Sequence, residues 1–149
     1  MAHKEKHTLR HHCTSLVLHC MDFRFGPDIK AMLEARGHLG DVDIVSVAGA
    51  VKPLVHPTHP AEAEFMLRQI EISQRLHGTS HVILLAHEDC GAYGGRKAFA
   101  NESAERHTHE ADLRAARDLI MARLPSMRVR LMLARLSADG EVSFEEIAD

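Results

Sequence analysis

The chain has 149 residues, 45% of them hydrophobic and 26% charged, with a formal net charge of −3 when the histidines are neutral. That length suits one domain with a real core and no need of disulfide staples. The acidic balance argues against a large nucleic-acid surface, and no apolar run approaches the roughly 18 residues that cross a bilayer.

The first ten residues are polar and lack the apolar centre of a signal peptide, so the expected address is the cytoplasm. Residues 1–14, with His11-His12-Cys13, read as a flexible or loosely packed segment that offers metal at most adventitious ligands. Three cysteines make an odd count, and a reducing compartment disfavours structural disulfides. Ser15 to Cys20 is a short apolar run with β-branched content, a buried strand. Pro27 suits a first helical turn, Ile29, Met32 and Leu33 recur at helical spacing, and Gly37 ends the helix. Val42 to Val47 is a second strand, and Ala48 to His59 a loop. A helix runs from Pro60 to about Leu76 with Ala63, Met66, Leu67 and Ile70 as its stripe. His81 to Ala86, the most apolar run, is a third strand that leads straight into His87. Gly91 to Ala104 reads as loop or short helix. A further helix runs from about Thr108 to Leu124, with Leu113, Ala116, Ile120 and Leu124 on one face. Met127 to Leu136 is a fourth strand. Ala138-Asp139-Gly140 signals a hairpin, with Glu141 to Ile147 returning as an antiparallel edge.

Alternating strands and helices predict a single α/β domain over residues 1–149. It has a mostly parallel sheet of four to five strands, flanked by helices. Such folds bind ligands beyond the C-terminal strand ends, where strand order reverses. Two segments stand at such ends, Cys20-Met21-Asp22-Phe23-Arg24 and His87-Glu88-Asp89-Cys90-Gly91. They meet in one crevice if the first and third strands are neighbours.

Two thiols, an imidazole and a carboxylate suit tetrahedral zinc better than magnesium or calcium. His87 and Cys90 are three apart and can aim at one ion, with Asp22 or water as fourth ligand. A buried cysteine at a strand end is more often a small hydrophobe, and one H-x-x-C alone is weak; the second segment strengthens it. Arg24 is placed to hold the Asp22 carboxylate bidentately, and so to decide whether that carboxylate faces the metal. At Gly91 a side chain would crowd the metal, and its backbone N–H is placed to donate to an anionic substrate.

At these residues the sequence resembles the β-class carbonic anhydrases, whose pattern is C-x-D-x-R after one strand and H-x-x-C-G after a later one. Here it stands as CMDFR (20–24) and HEDCG (87–91), with AGA at 48–50 also fitting. The resemblance implies zinc ligands Cys20, His87 and Cys90, and an Asp22–Arg24 dyad. It also implies a homodimer or higher homo-oligomer. The implied reaction is zinc-dependent, reversible hydration of carbon dioxide to bicarbonate by a metal-bound hydroxide, with His56 or His59 as proton relays. The alternatives are a related small substrate such as COS or CS₂, or a zinc-binding relative without activity. The chain departs from the pattern in places. Ser46-Val47-Ala48-Gly49 stands where many members carry R-N-A-G, and residues 1–14 leave no room for a long N-terminal arm. Phe23 replaces a small residue, and is expected to narrow or dry the pocket.

Overall fold

The computed structural model describes residues 9–149. Its five strands are β1 (Ser15–Cys20), β2 (Val42–Val47), β3 (His81–His87), β4 (Arg128–Leu136) and β5 (Val142–Ile147). Its helices are α1 (Gly26–Ala35), the short α2 (Lys52–Val55), α3 (Pro60–His77) and α4 (Glu102–Arg123). The strands form one sheet in the order β2-β1-β3-β4-β5, parallel except for the β4–β5 hairpin. β1 therefore lies between β2 and β3, and the chain departs to opposite sides of β1. That is the switch point where the C-terminal strand ends open a crevice.

The side-chain period of two divides each central strand between two cores. Leu16, Leu18, Val82, Leu84, Leu131 and Leu133 face α2, α3 and α4, where they meet Leu54, Met66, Ile70, Leu113 and Ile120. Val17, Ile83, Leu85 and Met132 face the other way, onto Phe25, Ile29, Met32 and Leu33 of α1 and the turn before it. Both faces of β1 and β3 are covered, which is why these segments read as unbroken apolar runs, whereas the edge strand β2 leaves Ile44 exposed. Leu84 sits in register between Leu18 and Leu131 and is fully buried. Leu84→Ala should destabilise the fold by about 2–5 kcal/mol, since close packing leaves the cavity only partly collapsed. A urea midpoint close to that of the unaltered chain would contradict this packing.

Three expectations need correction. α4 begins at Glu102 rather than near Thr108, because Asn101 caps it by accepting from the Ala104 N–H at 2.9 Å. The loop after β2 contains the turn of helix at Lys52–Val55. The loose segment expected to reach residue 14 stops earlier: Cys13 is only 9% exposed, and its N–H donates to His77 O at 3.1 Å. Residues 1–8 of that expectation lie outside the described residues.

Candidate metal centre

β1 ends on Cys20 and β3 on His87, and the strands are neighbours, so the two motif segments do meet in one crevice. Cys90 follows two residues of turn, which bring its Sγ to 4.0 Å from the Cys20 Sγ. The donor atoms of Cys20, His87 and Cys90 all lie within 4.8 Å of one another, and all three residues are buried.

The His87 ring stands 2.7 Å by Nδ1 from the Glu88 carbonyl, which holds that nitrogen as the donor. Nε2 is buried and has no hydrogen-bond partner among the described residues. An imidazole locked by one nitrogen, with the other presented bare, is how a protein presents a metal ligand. The thiols tell the same story. Cys20 is pulled well below the usual thiol range by a hydrogen bond from Cys90, against the opposing effect of burial. Cys90 is pushed far above it by the Cys20 thiolate and by burial. The pair gives up one proton easily and holds the other, so a second thiolate needs a cation beside it. The donor set therefore fits zinc.

Asp22 is turned away from these donors. Its carboxylate accepts from Arg24 Nε at 3.1 Å and from Nη2 at 2.7 Å, and its Oδ1 accepts from the Arg24 N–H at 3.0 Å. These bonds depress its pKa, the Arg24 side chain first among the causes. The pairing is complete above the ordinary aspartate range and is lost only as pH falls through the depressed value. Asp22 Oδ2 still passes 3.8 Å from His87 Nε2, so the carboxylate stands at the edge of the donor set.

Sequence reasoning missed the groups that hold Arg24 and the second motif. Arg24 Nη1 donates to Asp89 Oδ2, and Nη2 to the Asp89 carbonyl, both at 3.0 Å. Asp89 adopts a left-handed φ of 57° and accepts from the Arg96 N–H at 2.7 Å. Its own N–H donates to Glu105 Oε2 at 2.8 Å, and the Leu136 N–H donates to Glu88 Oε1 at 2.8 Å. Both glutamates are buried. The only signal for Asp89 was its place inside HEDCG; nothing marked Glu105, which falls between the loop or short helix of 91–104 and the helix expected from about Thr108. Gly49, at φ 79°, brings the 48–50 turn against the second motif, where an added Cβ would stand 3.0 Å from the Cβ of Ala92.

Two expectations fare differently. Gly91 opens only a three-residue 3₁₀ turn, and a Cβ built there meets no protein atom within 4 Å, so the surrounding chain does not require glycine. Phe23 is 87% exposed and lines the mouth of the cavity over the site. An open cavity of about 580 Å³ lies over the site, lined by Met21, Asp22, Arg24, Asp89 and Gly91 among others.

Fold and site together define an α/β protein with a Cys–His–Cys pocket at the switch point of a mostly parallel sheet. A family model described as "Putative carbonic anhydrase" matches residues 10–142, and the chain belongs to the carbonic anhydrase family. An uncharacterized protein of Rickettsia bellii is 31% identical over 137 residues, 89% of this chain and 82% of that protein. One of Rickettsia conorii is 29% identical over 135 residues, 89% of this chain and 73% of that protein. The crystal structure of β-carbonic anhydrase isoform I from Trichomonas vaginalis matches with a TM-score of 0.56 at 14% identity. The match spans 94% of this chain and 86% of that one, a likeness of fold.

Proposed function

We propose that the chain catalyses reversible hydration of carbon dioxide to bicarbonate, with zinc held by Cys20, His87 and Cys90. Bound zinc supplies a Lewis acid that brings the pKa of water towards about 7. The observation that carries an active rather than a closed site is the forked Asp22–Arg24 pair, which keeps the carboxylate off the donors. So placed, Asp22 accepts a hydrogen bond from the attacking water and orients it, while Arg24 keeps Asp22 ionised. The open cavity beside Gly91 gives a small linear substrate access to the donors.

A short hydrogen-bonded chain leads from beside the site to the surface, and supports a proton relay there. Tyr93, packed beside the Cys20–Cys90 cluster, donates from Oη to Asp112 at 2.7 Å. His56 Nε2 lies 2.9 Å from the other Asp112 oxygen, and its side chain is 57% exposed. This favours His56 over His59 as the exchange point with buffer. His56→Ala should slow turnover in dilute buffer by up to ~10²-fold, and concentrated imidazole should restore it. Equal rates in dilute buffer would exclude the relay. Exposed Met21 and Phe23 at the rim suit cover by a second copy, which supports a homo-oligomer.

The function is tested by measuring zinc per chain and stopped-flow carbon dioxide hydration on freshly purified, reduced protein. About one zinc held by Cys20, His87 and Cys90, together with hydration above the buffer rate, is the expected result. Zinc without hydration at neutral and alkaline pH would refute the enzyme, and no zinc would refute the centre itself. No described helix is long and apolar enough to cross a membrane.

A further inference from the structure

A second group of donors converges at the opposite end of the sheet. Cys13 precedes β1, Asp43 is the second residue of β2, and His77 is the last residue of α3. Their donor atoms lie within 4.8 Å of one another. Asp43 Oδ2 accepts from Ser73 Oγ at 2.7 Å and stands 2.7 Å from His77 Nδ1. The Cys13 Sγ is 3.7 Å from Thr79 Oγ1, and burial, reinforced by the Asp43 charge, keeps its thiol protonated. The His11-His12-Cys13 run, which the carbon dioxide reaction does not use, is folded against the same helix end. The His12 ring lies so close that a Cβ on Gly78 would stand 3.0 Å from its Cδ2, and the His11 ring centroid is 6.4 Å from that of His77.

We propose that Cys13, Asp43 and His77 form a second metal site, for a divalent cation of the zinc class, independent of the Cys20–His87–Cys90 centre. A thiolate, an imidazole and a carboxylate are donors that zinc or cobalt takes and that magnesium or calcium does not. Tetrahedral zinc sets such donors about 3.3–3.8 Å apart, so the side chains reach it by shifts of about an ångström. On binding, the Cys13 S–H bond breaks, its proton passes to solvent, and the sulfur's electron pair forms the bond to the metal. The Asp43–His77 hydrogen bond opens at the same time, and the imidazole proton moves from Nδ1 to Nε2 by exchange with solvent, which frees the Nδ1 lone pair for the metal. A neighbouring imidazole, His11 or His12, or water takes the fourth position. The three donors come from the entry to β1, the entry to β2 and the exit of α3, so an ion there ties the N-terminal edge of the sheet to its helix. A ligand that binds the folded chain alone stabilises it.

The test uses full-length, tag-free, reduced protein equilibrated with zinc and desalted. About two zinc equivalents per chain are expected, with about one left in each of Cys13→Ser, His77→Gln and Cys90→Ser. His77 is a partly exposed helix end, so His77→Gln gives an answer should Cys13→Ser fold poorly, with far-ultraviolet circular dichroism as the check. Cobalt(II) then separates this site from loose histidine binding. In the Cys20→Ser/Cys90→Ser double variant Cys13 is the one remaining thiol, and a thiolate-to-cobalt charge-transfer band should persist there. Adding Cys13→Ser should abolish it. Cobalt bound without that band, or zinc content unchanged by both Cys13→Ser and His77→Gln, would overturn the proposal. Failure of the other centre reads differently: zinc content would then fall with Cys13→Ser and be indifferent to Cys90→Ser.

Discussion

Cys90→Ser should lose the zinc bound between β1 and β3 and with it carbon dioxide hydration, while the fold survives. Serine's hydroxyl is not ionised near neutral pH, so the substitution removes an anionic donor and leaves only Cys20 and His87. Loss of a direct ligand should weaken zinc binding by more than the ~10–100-fold typical of losing an outer hydrogen-bond partner. Hydration should fall to the buffer rate. The fold should persist because Cys90 clusters with Cys20 and Ala50, apart from both main cores, and serine is almost its shape. The checks are zinc content, stopped-flow hydration and circular dichroism on one preparation. Zinc retained at the wild-type level in a folded Cys90→Ser chain would remove Cys90 from the centre.

Arg24→Ala should keep the metal and lose most of the rate. Arg24 is the clamp on Asp22: three of its hydrogen bonds go to that carboxylate from Nε and Nη2, and two more go to Asp89. Without the clamp, Asp22 needs to travel only a short way from its place 3.8 Å from His87 Nε2 to enter the donor set. It then occupies the position that water needs, and its orienting hydrogen bond is gone. A fall in hydration of about 10²–10³-fold is expected, the scale of removing one preorganised polar group. Zinc content should be unchanged or higher. Arg24→Lys should rescue little, because a lysine cannot fork to Asp22 and reach Asp89 together. Asp22→Asn should also retain zinc, since Asp22 orients and is not needed as a ligand. Near wild-type hydration in Arg24→Ala would refute the clamp; zinc lost in Asp22→Asn would make Asp22 a ligand after all.

Much of this arrangement was legible beforehand. β1 and β2 have the bounds that their apolar runs predict, and β3 extends one residue further, to His87, so that ligand is the strand's last residue. Strand ends of this kind are written locally: an apolar run stops where the chain leaves the sheet. α4 was harder. Its first turns carry Glu105, His109 and Asp112, all buried, on the side that an amphipathic pattern reserves for apolar residues. The apolar periodicity therefore starts late, and the helix turn with Glu105, which pins the second motif, precedes it.

The sequence by itself determined the strands, the strand–helix alternation of a mostly parallel sheet, Cys20 at one strand end and the His87–Cys90 pair at and just beyond another. Each depends on hydrophobic period and on residues within a few positions of one another. Only the tertiary structure decided that Asp22 faces Arg24 rather than the donors. It alone showed that Asp89 shares Arg24, that Glu88 and Glu105 are buried supports, and that Cys13 joins Asp43 and His77. Those contacts join residues far apart in the chain, 65 positions for Arg24 and Asp89 and 34 for Asp43 and His77. No local pattern encodes such pairings. They exist because packing two cores onto one sheet carries polar side chains from distant segments into the same buried space, where they must find partners.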